Sequence, residues 1–456
     1  MKRIFANRAL LANGWAERVG VEIDDAGRIL SAAPASAAAP DATQVDLLLP
    51  AMSNLHSHTF QRAMAGLTER RGPSGRDSFW SWREVMYRFL DLLSPDDIET
   101  IAAFAFMEMQ EAGFAAVAEF HYLHNQPGGA PYADAAELSA RIAAAARETG
   151  IGLTLLPVLY AQGGVDGRPL AGGQLRFRNN LASYERLVAR MPDVLAVLPD
   201  DAGWGVAPHS LRAVGRRDLS AVAAIAADRP IHMHIAEQEK EIEETMAVFG
   251  ARPVEWLLGE HEVSPRWCLI HCTHLKPVET RRLAASGAVA GLCPVTEANL
   301  GDGIFDGQHY LAADGKFGVG SDSNIRISVA DELRQFDYSQ RLRDRLRAVL
   351  ADPGGSVGAR LYGDALVGGA QALGRRSGAI EAGKWADLVA LDLTADGFAA
   401  LGAEAALDAW IFSAGNRAVS DVWSAGRHCV RGGRHVERDR IAARYAACVA
   451  AIMGRL

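Results

Sequence analysis

The sequence predicts an α/β protein: a (β/α)8 TIM barrel with a small β-sandwich domain built from both chain ends. Three observations predict it. Eight short apolar runs alternate with longer segments of helical periodicity through the middle of the chain. The two ends share a different texture, short strands punctuated by glycine. Ionisable residues gather at the ends of several runs, where a barrel carries its site.

The eight runs are VDLLLPAMSNLHSH, AAVAEFHYL, IGLTLLPVLY, GWGVAPHSL, PIHMHIAEQ, WCLIHCTHL, AVAGLCPVTE and KFGVGSDSN. Between them, DDIETIAAFAFMEMQEAG and ADAAELSARIAAAARETG repeat apolar residues at helical spacing. Such alternation argues for parallel strands joined by crossover helices, and eight is the number a closed barrel needs. An open doubly wound sheet is the alternative, but no GxGxxG turn follows the first run.

The first segment, to about Asp46, holds short apolar runs with a turn at Asp24-Asp25-Ala26-Gly27. Prolines in SAAPASAAAP (31–40) read as a loop. GAIEAGKWADLVALDL (378–393) and DVWSAGRHCVRGGRHV (421–436) read as short strands with glycine turns, and Asp439 to Leu456 as a helix. The expected boundaries are 1–48 for the first part of the β domain, 49–376 for the barrel, and 377–456 for the returning β part plus the terminal helix.

Composition narrows the function. The 456 residues are 49% hydrophobic, enough for a barrel and a smaller domain. A net charge of -8 with no basic arm argues against nucleic acid. An anionic substrate then needs a few locally placed arginines. The cysteines, Cys268, Cys272, Cys293, Cys429 and Cys448, form no CxxC pair, so a disulfide framework is not expected and a cytoplasmic location is. Asn7, Arg8, Asn13 and Glu17 interrupt the first apolar stretches, unlike a signal peptide. No window is long and apolar enough to span a bilayer.

The chemistry sits at the run ends. His56 and His58 close the first run; alternate strand residues share a face, so both imidazoles can reach one metal. The fifth run offers His232, His234 and Glu237, the sixth His271 and His274, and the eighth ends in Gly320-Ser321-Asp322-Ser323. A buried strand has little reason to end in such groups unless they are paired or bind metal.

His56-x-His58, His234-Ile-Ala-Glu237, His271 in LIHCTHL and Asp322 in GSDS resemble the amidohydrolase superfamily, in its mononuclear deaminase and chlorohydrolase branch. The resemblance runs over nearly the whole chain, including GAIEAGKWADLVALD, which looks like that family's returning β domain. It implies one divalent metal per chain, zinc by family habit, held by His56, His58, His234 and Asp322. It implies catalytic roles for His271, Glu237 and Asp322, with His232 and His274 as competitors inside their motifs. GWGVAPHSL supplies no lysine to bridge a second metal. Iron or manganese would suit the same ligands as zinc.

Within the superfamily, HSHTFQRAMAGLTERRG, DSFWSWREVMYRFLD, AEFHYLH and VAPHSLRAV together resemble the formimidoylglutamate deiminase family of histidine degradation. That implies deimination of N-formimino-L-glutamate to N-formyl-L-glutamate and ammonia by metal-activated hydroxide. It also implies a small-molecule dicarboxylate substrate and a possible homodimer, without nucleic acid or membrane partners. Arg83 and Arg212 then become the carboxylate clamps, because guanidinium groups match carboxylates with paired hydrogen bonds. Gln61, Tyr122 and His209 fall at the remaining substrate positions. Two other readings compete: a related deaminase acting on guanine or an adenosine-like base, which needs no carboxylate clamps, and a non-catalytic binding barrel.

Overall fold

The computed structural model describes residues 1–35, 37–70, 79–394, 397–398 and 400–456. Asp77 and Ser78 of the DSFWSWRE stretch, and Ser36 of the expected 31–40 loop, lie outside the described residues.

The chain begins with β1 (Lys2–Leu11), β2 (Gly14–Ile23), β3 (Ile29–Pro34) and β4 (Thr43–Pro50). The barrel strands follow: β5 (Met52–Ser57), β6 (Phe114–His121), β7 (Gly152–Leu159), β8 (Gly203–Trp204), β9 (Ala207–Pro208), β10 (Ile231–Ile235), β11 (Trp267–His271), β12 (Val289–Leu292) and β13 (Lys316–Val319). The chain returns with β14 (Leu388–Leu391), β15 (Val419–Ser424), β16 (Arg427–Arg431) and β17 (Arg434–His435).

The first apolar run is two strands. Its VDLLLP half is β4, in the β domain, and only MSNLHS is the first barrel strand. The chain passes between them at Ala51, whose N–H bonds to the Asp387 carbonyl. The GWGVAPHSL run is also divided, into β8 and β9, which both pair with β7. These short pieces together fill the fourth barrel position.

β5, β6 and β7 are parallel neighbours, as are β10 to β13. Parallel bridges Val206–Ile231 and Ser57–Asp322 join the two sheets at both seams, closing an eightfold barrel. Strands buried on both faces explain why these runs read as continuously apolar. Gly320 permits the second seam. A Cβ there would lie 2.7 Å from the His56 carbonyl oxygen and 2.8 Å from its backbone nitrogen.

Around the barrel, helix α1 (Phe79–Leu90) carries Arg83, and helix α2 (Pro95–Glu111) follows. Ser94 and Asp97 form a capping box before α2, with Pro95 in its first turn, where the missing N–H costs nothing.

The ends form one mixed sheet in the order β17-β16-β15-β14-β4-β1-β2-β3. The sheet curls: bridges Leu11–Ile380 and Arg28–Trp385 connect its early strands to the returning chain. Val21, Ile23, Ile29, Leu388 and Trp423 share a small core inside the curl, separate from the barrel core. The 31–40 expectation needs correction, because residues 31–34 belong to β3. β3 is an edge strand, where Pro34 can end the ladder without removing an inner hydrogen bond. The terminal helix, Arg438–Met453, lies on α2, with Tyr445 stacked on Phe104 at 3.8 Å between ring centroids.

Candidate active site

The C-terminal ends of the barrel strands converge on four side chains. His56 is the last residue but one of β5, His58 follows the strand, His234 lies in β10, and Asp322 follows β13. The ligand atoms of all four lie within 4.8 Å of one another, and all four residues are buried. Asp322 Oδ1 is 3.3 Å from both His56 Nε2 and His58 Nε2. His56 Nε2 is 3.1 Å from His234 Nε2.

The backbone fixes this cluster. Asp322 N–H donates to the His56 carbonyl at 3.0 Å, and His58 N–H to the Asp322 carbonyl at 2.9 Å. Asp322 takes φ +44, a left-handed conformation that non-glycine residues adopt only when their surroundings demand it. Here Asn324 makes the demand. Its amide bonds Ser57 Oγ and the carbonyls of His58 and Asp322, each at 3.1 Å. Ser321 links Asn324 to Asn54. None of this asparagine–serine scaffold was anticipated from sequence, although GSDSN holds two of its members.

The donor set fits a divalent cation. His58 Nδ1 faces the Phe120 carbonyl at 3.0 Å and His234 Nδ1 the His209 carbonyl at 3.1 Å. Each Nδ1 must therefore carry the proton, leaving Nε2 as a lone pair. Burial first, then neighbouring imidazoles, push His56 and His234 well below the usual histidine pKa; burial and His56 take His58 to about 3. Neutral imidazole is the ligand form. Two ring nitrogens at 3.1 Å with a carboxylate beside them are best reconciled by a shared cation.

The competing histidines lie elsewhere. His232 Nε2 donates to the Ala372 carbonyl at 2.8 Å. His274 Nε2 is buried with no hydrogen-bond partner among the described residues, outside the four-residue cluster.

His271 closes β11 with φ +72. Its Nε2 faces Glu237 Oε1 at 3.8 Å and its Nδ1 faces Glu297 Oε1 at 3.3 Å. Burial opposes its charged form, but Glu237, Glu297 and Asp322 outweigh this and raise its pKa to about 10. A dication on the neighbouring ligands would oppose that rise. Glu297 was missed in the sequence, though it ends the seventh run by the same criterion that picked out the other run ends.

The five expected substrate-contact residues, Gln61, Arg83, Tyr122, His209 and Arg212, line one pocket together with His58, His234, Glu237, His271 and Asp322. Phe79, Trp80, Trp82, Tyr160 and Phe177 supply its apolar wall. Gln61 Nε2 donates to Tyr122 Oη at 2.8 Å, and Arg83 Nη2 to Tyr160 Oη at 2.8 Å. Arg212 is already engaged: its Nη2 donates to Glu237 Oε2 at 2.6 Å. Glu237 and Glu241 hold its guanidinium charged against the cost of burial.

A closed barrel with a His–His–His–Asp cluster at its strand ends defines a class, and comparison with known proteins agrees with it. Residues 47–429 match the amidohydrolase family model, and the chain belongs to that family. Residues 1–44 match the model described as the N-terminal domain of the formimidoylglutamate deiminase HutF. A formimidoylglutamate deiminase from Pseudomonas aeruginosa is 48% identical over 444 residues, covering 97% of both chains. An 8-oxoguanine deaminase from the same organism is 29% identical over 97% of this chain and 96% of its own. A crystal structure of an amidohydrolase from Brucella melitensis superposes with a TM-score of 0.95 at 47% identity, covering 99% of this chain and 100% of its own. An adenosine deaminase from Xanthomonas campestris with bound zinc has a TM-score of 0.82 at 22% identity, covering 99% and 98%, which is a likeness of fold.

Proposed function

We propose that this protein hydrolyses N-formimino-L-glutamate to N-formyl-L-glutamate and ammonia. The observation that carries the reading is the shared pocket: Arg83 and Arg212 line the same cavity as the metal-ligand cluster, in a chain of net charge -8. A dianion repelled by the overall field needs local guanidinium groups to enter. A neutral purine would leave Arg83 without an anionic partner in the pocket. The 48% identical relative of that name supports the same substrate.

His56, His58, His234 and Asp322 would hold one divalent ion. We assign zinc, the metal that the family resemblance implies and one that imidazole nitrogens with a carboxylate oxygen suit. When bound, the ion supplies Lewis-acid activation of water near neutral pH. The chain's own groups do the rest. His271 orients the attacking water and takes up its proton, with Asp322 sharing that task. Glu237 relays a proton released from the water to the departing nitrogen, so that both protons of the water end on nitrogen and ammonia leaves. Arg83 and Arg212 bind carboxylates, while Gln61, Tyr122 and His209 fix the formimino end. The five unpaired cysteines fit work in a reducing, cytoplasmic compartment. No helix among the described residues is long and apolar enough to cross a membrane.

Product analysis tests the reaction, because N-formimino-L-glutamate has two C–N bonds open to hydrolysis. Mass spectrometry should find N-formyl-L-glutamate with one ammonia per turnover. Glutamate with formamide would place the cleavage at the other bond and refute the proposal.

A further inference from the structure

Glu237 is gripped from two sides. Arg212 Nη2 holds Oε2 at 2.6 Å, while Oε1 faces His271 Nε2 at 3.8 Å. The grip is itself braced. Glu241 accepts the backbone N–H groups of Ala236 and Glu237 at 3.1 and 3.2 Å, and its Oε2 stands 3.9 Å from Arg212 Nε. Ala236 takes φ +54, so the turn that presents Glu237 is a constrained one. Arg212 Nε has no hydrogen-bond partner among the described residues, and the guanidinium lies over the Phe79 ring at 5.7 Å. A residue serving only as a substrate clamp has no need of this arrangement. A guanidinium presents five N–H groups on more than one edge, so one edge can hold Glu237 while another faces the pocket.

We propose that Arg212 is a positioning residue for Glu237 as well as a substrate contact. Its guanidinium fixes the Glu237 carboxylate in the orientation from which it delivers a proton to the leaving nitrogen. Arg212 therefore supports turnover even of an amidine that carries no carboxylate. This rests on the reading of Glu237 as the proton carrier given above.

The test uses the metal-loaded full chain with two substrates: N-formimino-L-glutamate, and N-propylformamidine, which lacks both carboxylates. Metal content and thermal stability are checked for every variant. Arg212→Met should lower kcat/KM on N-propylformamidine by about 10-fold or more, the size expected when a proton-transfer group loses its support. Arg212→Lys should recover part of that loss, because it returns a cation beside Glu237. In a Glu237→Gln background, Arg212→Met should cost nothing further in kcat on N-formimino-L-glutamate at saturation. That cycle also decides the matter if N-propylformamidine turns over too slowly to measure, and Arg212→Gln replaces Arg212→Met if the latter does not fold. The proposal is overturned if Arg212→Met raises only KM for N-formimino-L-glutamate and leaves N-propylformamidine untouched. Equal losses from Arg212→Met with and without Glu237 would overturn it as well. Normal turnover by Glu237→Gln alone would remove the underlying reading of Glu237 and this inference with it, a separate and recognisable result.

Discussion

Glu297 Oε1 lies 3.3 Å from His271 Nδ1 and also accepts the Cys293 backbone N–H at 2.9 Å. One carboxylate oxygen thus ties the end of β12 to the imidazole that ends β11. Holding a proton on Nδ1 aims Nε2 of His271 at Glu237 and the pocket. His271→Asn should keep fold and metal but lose about 10²-fold or more in turnover. Glu297→Gln should lose less, about 10-fold, since it acts through the ring. Steady-state kinetics beside metal analysis checks both. Near-normal turnover by His271→Asn with metal intact would remove its role.

The metal cluster gives a second expectation. Protein purified without added metal should hold about one divalent ion per chain, and His56→Ala should lose most of it. Asn324→Ala should also weaken retention, because its amide anchors the backbone at His58 and Asp322. Elemental analysis decides. Two tightly held ions per chain, or full occupancy in His56→Ala, would contradict the four-ligand site.

Strand alternation puts His56 and His58 on one face, and ionisable groups are rare at buried strand ends, so these run ends stand out in the sequence; the choice of His234 over His232 rests on the family resemblance. The eight barrel positions were readable for a related reason: strands buried on both sides become apolar runs. Other features depend on contacts between distant segments and leave no local trace. That His232 turns to the Ala372 carbonyl, and that Arg212 meets Glu237, follow from packing across 140 and 25 positions of chain. Pro34 reads as a loop residue in the sequence, and only the place of β3 at the sheet edge makes room for it in a strand. Glu297 ends the run AVAGLCPVTE, but it stands in a helix, Pro294–Leu300, and only the fold shows its carboxylate turning back to the strand end.

Arg83 should behave differently from Arg212. It donates to Tyr160 Oη, a neutral partner, and no carboxylate is paired with it among the described residues. Arg83→Met should cost about 2–5 kcal/mol of transition-state binding on N-formimino-L-glutamate, roughly 30-fold or more in kcat/KM. On N-propylformamidine it should cost little. Arg83→Lys should also impair the natural substrate, since an ammonium cannot reproduce the planar fork. Equal losses on both substrates would take Arg83 away from the carboxylates.

Stability should fall in mild acid partly through His124. Burial holds its pKa down at about 4, although Nε2 meets the Val158 carbonyl at 2.9 Å. The unfolded chain takes up the proton near the ordinary value of 6.5 and the folded chain does not. Its contribution is therefore complete above about pH 6.5 and is lost as pH falls toward 4. Urea unfolding at pH 7 and pH 5 should show a smaller drop for His124→Gln than for the unmodified chain, by on the order of 2 kcal/mol. Parallel pH dependence in the two proteins would rule out His124 as a contributor.

The central claim is the substrate, and one measurement reaches it most directly: ammonia release by the unmodified, metal-loaded protein, compared as kcat/KM on N-formimino-L-glutamate, guanine and S-adenosylhomocysteine. The pocket that pairs two arginines with the metal-ligand cluster predicts strong preference for N-formimino-L-glutamate, with the purines turned over slowly or not at all. Faster turnover of guanine or S-adenosylhomocysteine would contradict the assignment, while leaving the barrel and its four-ligand cluster in place.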